Sequence, residues 1–218
     1  MISFNGFRNV KRVLCLGAHS DDIEIGAGAT MLRIIRENPE VEVTWCVLSG
    51  NEVRQQEARQ GAEHILGSRL TRSVLLQNFT DSYFPEQRKE IKQFFEASLK
   101  SVDPDLILTH TRADAHQDHR MVNELTWNTF RAHQIWEYEI PKWDGDLQQP
   151  NLYVPVEPED VAAKIAVLRD VFASQRSKHW FDEETFRGLM RIRGLESNAR
   201  YSEAFVARKF VVAQGSHC

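Results

Sequence analysis

The chain has 218 residues, 42% hydrophobic and 27% charged, with Lys+Arg 27 against Asp+Glu 31 and a formal net charge of -4. That balance suits one domain over residues 1–218 with a real core, and suggests neither a disordered chain nor a protein that wraps nucleic acid. No basic-plus-apolar leader is visible and no apolar run approaches the roughly 18 residues of a bilayer span, so no membrane span and a cytoplasmic location are expected.

The first strand is expected at 12-RVLCLG-17. It runs straight into 17-GAHSDDIEIGAGAT-30, a turn and helix start holding a histidine and two adjacent acids. Neighbouring carboxylates repel each other and lose hydration in a cleft, so they require a cation, a proton or a solvated surface. Further apolar, β-rich runs stand at 41-VEVTWCVLS-49, 73-SVLLQNF-79 and 105-DLILTH-110, each separated by a stretch long enough for a helix. Helical spacing of Ala29, Leu32 and Ile35, and of Ile91, Phe94, Phe95 and Leu99, supports βαβ units. Strands apolar on both sides of the pleat imply a mostly parallel sheet covered on both faces, a Rossmann-like three-layer α/β/α sandwich. Ligands in such sheets bind beyond the carboxyl ends of the strands.

Later elements are a helix from about Asp118 to Phe130, a strand running into a turn at 135-IWEYEIPKWDG-145, and an extended, proline-marked connection at 149–160. Val161, Ile165, Leu168 and Phe172 define an amphipathic helix. Residues 176–200 are expected to form loops and short helices, before 201-YSEAFVARKFVV-212 closes the fold. Cys15 and Cys46 lie in apolar strand-like runs and are expected as core residues, while Cys218 is a leftover terminal thiol.

The loop after the fourth strand, 110-HTRADAHQDH-119, holds His110, Asp114, His116, Asp118 and His119. With His19 to Asp22 it places two dense clusters of imidazoles and carboxylates at one sheet edge. A mononuclear catalytic zinc takes three N/O ligands and keeps the fourth place for water. His19 and Asp22 can both aim inward from a turn entering a helix, with Asp22 near the favourable helix N-terminus. His119 can supply the third ligand. Asp21, adjacent but unligated, could then take a proton from an activated water. His116 could stabilise an oxyanion or protonate a leaving nitrogen, and Asp118 could orient His116. Together these roles amount to metal-assisted hydrolysis of an amide.

In these residues the chain resembles the PIG-L/LmbE-type de-N-acetylases, zinc enzymes that remove acetyl groups from N-acetylglucosamine units and related amino sugars. The family's Ala-His-Pro-Asp-Asp motif stands as Ala18-His19-Ser20-Asp21-Asp22, with serine in place of proline, and its His-x-Asp-His motif as His116-Gln117-Asp118-His119. The segments 54-RQQEA-58, 137-EYEIP-141, 150-PNLYV-154, 174-SQ-175 and 201-YSEAF-205 extend the similarity over roughly the whole chain. The resemblance implies zinc held by His19, Asp22 and His119, with Asp21 as base and His116 as its partner. It also implies that Arg54 contacts the hydroxyls of a small N-acetylated sugar; the alternative for Arg54 is a helix-surface cation. Related expectations keep two readings open. Trp143 could be exposed near the site or packed, and Glu203 could face the pocket or stand as a strand-edge surface acid. Hydrolysis of a thiol conjugate or antibiotic precursor, or carbohydrate binding without turnover, are the alternative functions. Oligomeric state stays open, although 149–160 could mediate contact in a homo-oligomer.

Overall fold

The structure, a computed structural model, describes residues 6–67 and 72–211. Strand and helix alternate from the start: β1 Arg12–Gly17, α1 Asp22–Glu37, β2 Glu42–Ser49, α2 Glu52–Leu66, β3 Arg72–Phe79, α3 Arg88–Phe94, β4 Leu106–His110, α4 Gln117–Thr129 and β5 Gln134–Tyr138. There follow β6 Leu152–Val156, α5 Pro158–Val171, α6 Glu183–Glu196 and β7 Tyr201–Ala207. The seven strands form one sheet in the order β3-β2-β1-β4-β5-β7-β6. From β3 to β5 all pairs are parallel, and β7 runs antiparallel to both β5 and β6.

The two-residue period of a strand explains the layers. Val13 and Cys15 of β1 enter a core shared with α1, α2, α5 and α6, while Leu14 and Leu16 enter a second core with α3 and α4. The sheet is covered on both faces, as the double-sided apolar strands require. The largest fully buried side chains include Trp45, Tyr138, Phe95 and Leu14. Burial of each such leucine contributes about 1.5–3 kcal/mol. On α1, Ala29 is fully buried as expected, but Leu32 and Ile35 only border the core, whose main α1 contacts are Ile23, Ala27, Met31 and Ile34. Cys15 and Cys46 are buried free thiols, and Cys218 lies outside the described residues. No helix among the described residues is long and apolar enough to cross a membrane.

Two expectations are corrected. The connection 149–160 contains β6, which among the described residues pairs with β7 alone at the sheet edge, where Pro155 opposite Ser202 is tolerated because an edge strand needs only one side of its ladder. The region 176–200 contains the 14-residue α6. Its start is well specified: Asp182 caps it by accepting the Thr185 N–H at 2.8 Å, and Glu183 and Glu184 occupy the first turn. Its apolar stripe is narrow, with Phe186, Met190 and the glycine Gly194 buried, and a Cβ at Gly194 would stand 2.6 Å from the Arg200 carbonyl oxygen.

Glu203 matches neither expectation. It is buried on β7, accepts from the Ala29 and Thr30 N–H groups of α1 at 3.1 and 2.6 Å, and pairs with Lys164 of α5 at 2.7 Å. Lys164 also donates to the Ile25 carbonyl. Ile25 C=O and Ala29 N–H are partners in a regular helix, so the ion pair is docked into the backbone ladder of α1. Opposite it, Gly26 gives room to Tyr138, whose ring would lie 2.2 Å from an added Cβ.

Candidate metal centre and active-site cleft

Parallel pairing of β1 with β4 sets the loops after them side by side. From β1 the chain crosses to one neighbour and from β4 to the other, which opens a crevice between the loops. In the first loop the His19 N–H donates to Asp22 Oδ2 at 2.6 Å, turning that carboxylate back toward the imidazole. In the second, His116 is the N-cap of α4, its Nδ1 accepting the Asp118 N–H at 3.2 Å. That bond leaves the neutral ring's proton on Nε2.

The ligands expected from sequence converge. His19 Nδ1 lies 3.1 Å from His119 Nε2 and 3.5 Å from Asp22 Oδ2, and His119 Nε2 lies 3.5 Å from Asp22 Oδ1. Metal–ligand bonds of about 2.0–2.1 Å in a tetrahedron place ligand atoms about 3.3 Å apart. Asp22 is reached through Oδ2 from one imidazole and Oδ1 from the other. The three residues thus bring N and O donors of the type a divalent metal takes into a cluster whose overlapping His and Asp groups could hold such an ion. His119 is presented correctly, because its Nδ1 is 2.9 Å from Asp114 Oδ2 and that partner leaves Nε2 as the bare nitrogen. Asp114 also accepts the His116 N–H at 2.8 Å and pairs with Lys142 at 3.0 Å.

Electrostatics follow from this crowding. Burial would raise the Asp22 carboxyl, but His119, His110 and His19 hold it well below the usual carboxylate range. Burial opposes a proton on His19, yet Asp22, Asp118 and Asp81 hold its pKa well above the ordinary value. His119 is pushed down to about 4, chiefly by burial and then by His110. Burial and the charge of His19 also lower His116. Asp21 is raised by burial and by Asp22, against the pull of Arg54.

Asp118 is placed differently from expectation. Its Oδ2 accepts the Ser82 N–H at 2.6 Å and lies 3.2 Å from His19 Nε2, and its Oδ1 accepts the Phe84 N–H at 3.1 Å. Its hydrogen bond to His116 comes instead from its backbone N–H. The carboxylate thus orients His19 and fastens the loop after β3. Arg54 lines the cleft but is engaged by the protein: Nε donates to Ser20 Oγ at 3.0 Å, Nη2 to Asp21 Oδ1 at 2.9 Å and Nη1 to Asp81 Oδ2 at 3.3 Å. Serine at the family's proline position therefore supplies a hydroxyl to hold this guanidinium.

Further polar groups lie outside the expected site, among them Asp81, Lys142 and His110. Asp81 follows β3 and stands 3.2 Å from His19 Nε2. Lys142 follows β5, and His110, given no role from the sequence, is fully buried with Nε2 3.1 Å from Asp22 Oδ2. Each sits at or just beyond a strand's carboxyl end, and that position was the available signal. The cleft has a volume of about 280 Å³, with Trp143, 66% exposed, and Trp180 on its rim.

Converging imidazoles and carboxylates at the crevice of a doubly wound sheet are the donor chemistry of a hydrolytic metal centre. The chain belongs to the PIG-L family: the family model for GlcNAc-PI de-N-acetylase matches residues 14–130, from β1 through α4. It is 29% identical over 171 residues to uncharacterized deacetylase YaiS of Escherichia coli (strain K12), covering 73% of this chain and 89% of that one. The N,N'-diacetylchitobiose deacetylase of Pyrococcus horikoshii has a similar fold, with a TM-score of 0.68 at 21% identity over 93% of this chain and 85% of that chain. So does GalB, the 4-carboxy-2-hydroxymuconate hydratase of Pseudomonas putida KT2440, with a TM-score of 0.72 at 16% identity over 94% of this chain and 99% of that chain. A hydratase on the same fold means that the architecture alone does not choose the reaction.

Proposed function

We propose that the chain is a zinc-dependent hydrolase that removes the N-acetyl group from an N-acetylated amino sugar and releases acetate. The observation that carries this reading is the approach of His19, Asp22 and His119 to 3.1–3.5 Å across two loops, beside an unligated acid and a neutral imidazole. Family membership and the similarity to a chitobiose deacetylase support the acetyl group and the sugar. A zinc ion bound there would polarise the acetyl carbonyl and acidify water.

The side chains divide the remaining work. Asp21 accepts the proton of the attacking water, and its raised carboxyl brings it closer to the pKa a base needs near neutral pH. Once protonated, it can return that proton to the leaving amine. Arg54 keeps Asp21 pointed into the cleft. His116, with its proton on Nε2 and its pKa lowered, suits hydrogen-bond donation to the developing oxyanion better than full proton transfer. Trp143 offers an exposed aromatic face at the mouth for the apolar side of a sugar ring.

The test is acetate release from a panel of N-acetylated sugars, with acylated thiol conjugates as a comparison arm and a chelator control. The sugar arm should respond, and chelation should abolish turnover. Asp21→Asn should retain zinc while losing about 10²–10⁴ in kcat. Turnover that survives chelation, or Asp21→Asn activity near that of the parent, would refute the mechanism. A response confined to the thiol arm would refute the substrate class.

A further inference from the structure

Glu137 of β5 is a buried carboxylate with both oxygens engaged. Its Oε1 accepts the Trp127 indole N–H at 2.7 Å and lies 2.8 Å from Arg208 Nε, while Oε2 accepts the Arg112 backbone N–H at 3.2 Å and Arg208 Nη2 at 2.9 Å. These contacts fix the walls of a groove of about 700 Å³ between the outer face of α4 and the segment after β7, lined among others by Arg112, Arg120, Trp127, Arg208 and Lys209. It shares no lining residue with the catalytic cleft. The Arg208 guanidinium and the Lys209 ammonium stand 5.6 and 4.9 Å from the centre of the Trp127 ring.

Holding Trp127 and Glu137 accounts for Arg208 but leaves three cations over. Arg112, Arg120 and Lys209 are exposed, and none of them is ion-paired among the described residues. Arg120 Nη1 donates to the Asp114 and Ala115 carbonyls and Lys209 to the Arg131 carbonyl, contacts that leave both charges uncompensated. Glu124, the acid on the groove wall, is engaged by Arg88 through both oxygens at 2.8 and 2.6 Å. A chain of net charge -4 thus gathers like charges in a concavity, whose low-dielectric walls focus their field, and an anion relieves the repulsion.

We infer that this groove binds a small phosphate-bearing molecule, with Arg112, Arg120 and Lys209 as the cationic contacts of its phosphoryl group. Guanidinium forks match phosphoryl oxygens bidentately, and an ammonium adds a point charge. The groove exceeds the size of a lone phosphate and lies in the range of small-molecule sites, so the ligand carries an organic body such as a hexose or a nucleoside. A nucleic acid suits the groove less well, because the cations cluster in one concavity and do not track a backbone along a stripe. The inference stands independently of the proposed deacetylation.

Calorimetric titration of the full chain with a hexose phosphate and a nucleoside diphosphate, against the matching hexose and nucleoside, tests it. Repeating the titrations after metal removal with a neutral chelator separates the groove from the proposed zinc centre. At least one phosphorylated probe should bind and the unphosphorylated ones should not. Binding should survive metal removal and weaken with added salt. Arg112→Ser and Lys209→Ser should each lower affinity about tenfold or more, since each removes a charge-assisted contact. Neither strands a buried acid, as Arg208→Ser would. Failure of both phosphorylated probes to bind at millimolar concentration would overturn the site. So would binding that disappears with the metal, or binding unchanged when Arg112→Ser and Lys209→Ser are combined. Binding of a single-stranded oligonucleotide alone would overturn the small-molecule class.

Discussion

At the level of single residues, sequence adjacency made part of the centre legible and misdirected another part. His19 and Asp22 share one turn, and the hydrogen bond between the His19 backbone and the Asp22 carboxylate is the kind of local contact that a three-residue spacing permits. His116 and Asp118 are also close in sequence, yet helix geometry separates their side chains. His116 caps α4 with its ring, while the Asp118 carboxylate leaves toward Ser82, Phe84 and His19. Partnership with Asp81 could not be read from spacing at all, since β3 delivers that residue from elsewhere in the chain. His116→Ala tests the oxyanion role. It should cost about 10²–10³ in kcat, with KM much less affected, as expected for a donor whose bond strengthens in the transition state. Steady-state kinetics would contradict this role if the loss fell on KM alone.

Among the elements, the alternation of strand and helix through β5 was legible because each apolar run had its own length and punctuation. β6 was hidden by Pro150 and Pro155, whose usual meaning is a loop, although an edge position accommodates them. α6 was hidden by composition: its exposed surface is rich in charge, and only a narrow stripe enters the core. The Asp182 cap and the acids behind it were nevertheless present in the sequence. The Lys164–Glu203 pair was not foreseeable, because it joins α5 to β7 through the backbone of α1. Lys164→Met should destabilise the fold by about 3–5 kcal/mol, since it strands a buried carboxylate. Adding Glu203→Gln should recover part of that loss. Denaturant unfolding of both single variants and the double variant would measure the coupling, and strict additivity would show that the pair acts as two independent residues.

For the whole molecule, the buried charges predict how stability varies with pH. Asp22, Asp114 and Asp81 have lowered carboxyl pKa values, so their stabilisation is present above their ordinary value of 3.8 and is lost as pH falls through the folded values. Shifts in the opposite direction act at the other end of the scale. Glu24 is fully buried, with neither carboxylate oxygen hydrogen-bonded among the described residues, and burial raises it well above 4.5. His19 is raised above 6.5. Contributions from these two are complete below the ordinary values and disappear as pH rises through the folded ones. Metal-free protein should therefore lose stability as pH falls below about 4 and as it rises beyond about 6.5. Between these limits the growing cost of ionising Glu24 is opposed by His119, whose pKa of about 4 adds stability as pH climbs, and thermal melts across pH would check it. If zinc takes the place of the His19 proton, as proposed, the melting-temperature gap between loaded and metal-free protein should widen as pH climbs. A gap independent of pH would argue against His19 as a ligand. The placement of β7 has a separate consequence during synthesis. This strand is made last of the seven, yet it fills the gap between β5 and β6. Until residues 201–207 leave the ribosome, the β5 edge and the still unpaired β6 segment both wait for a strand, and any foreign segment of suitable pattern can occupy the vacancy.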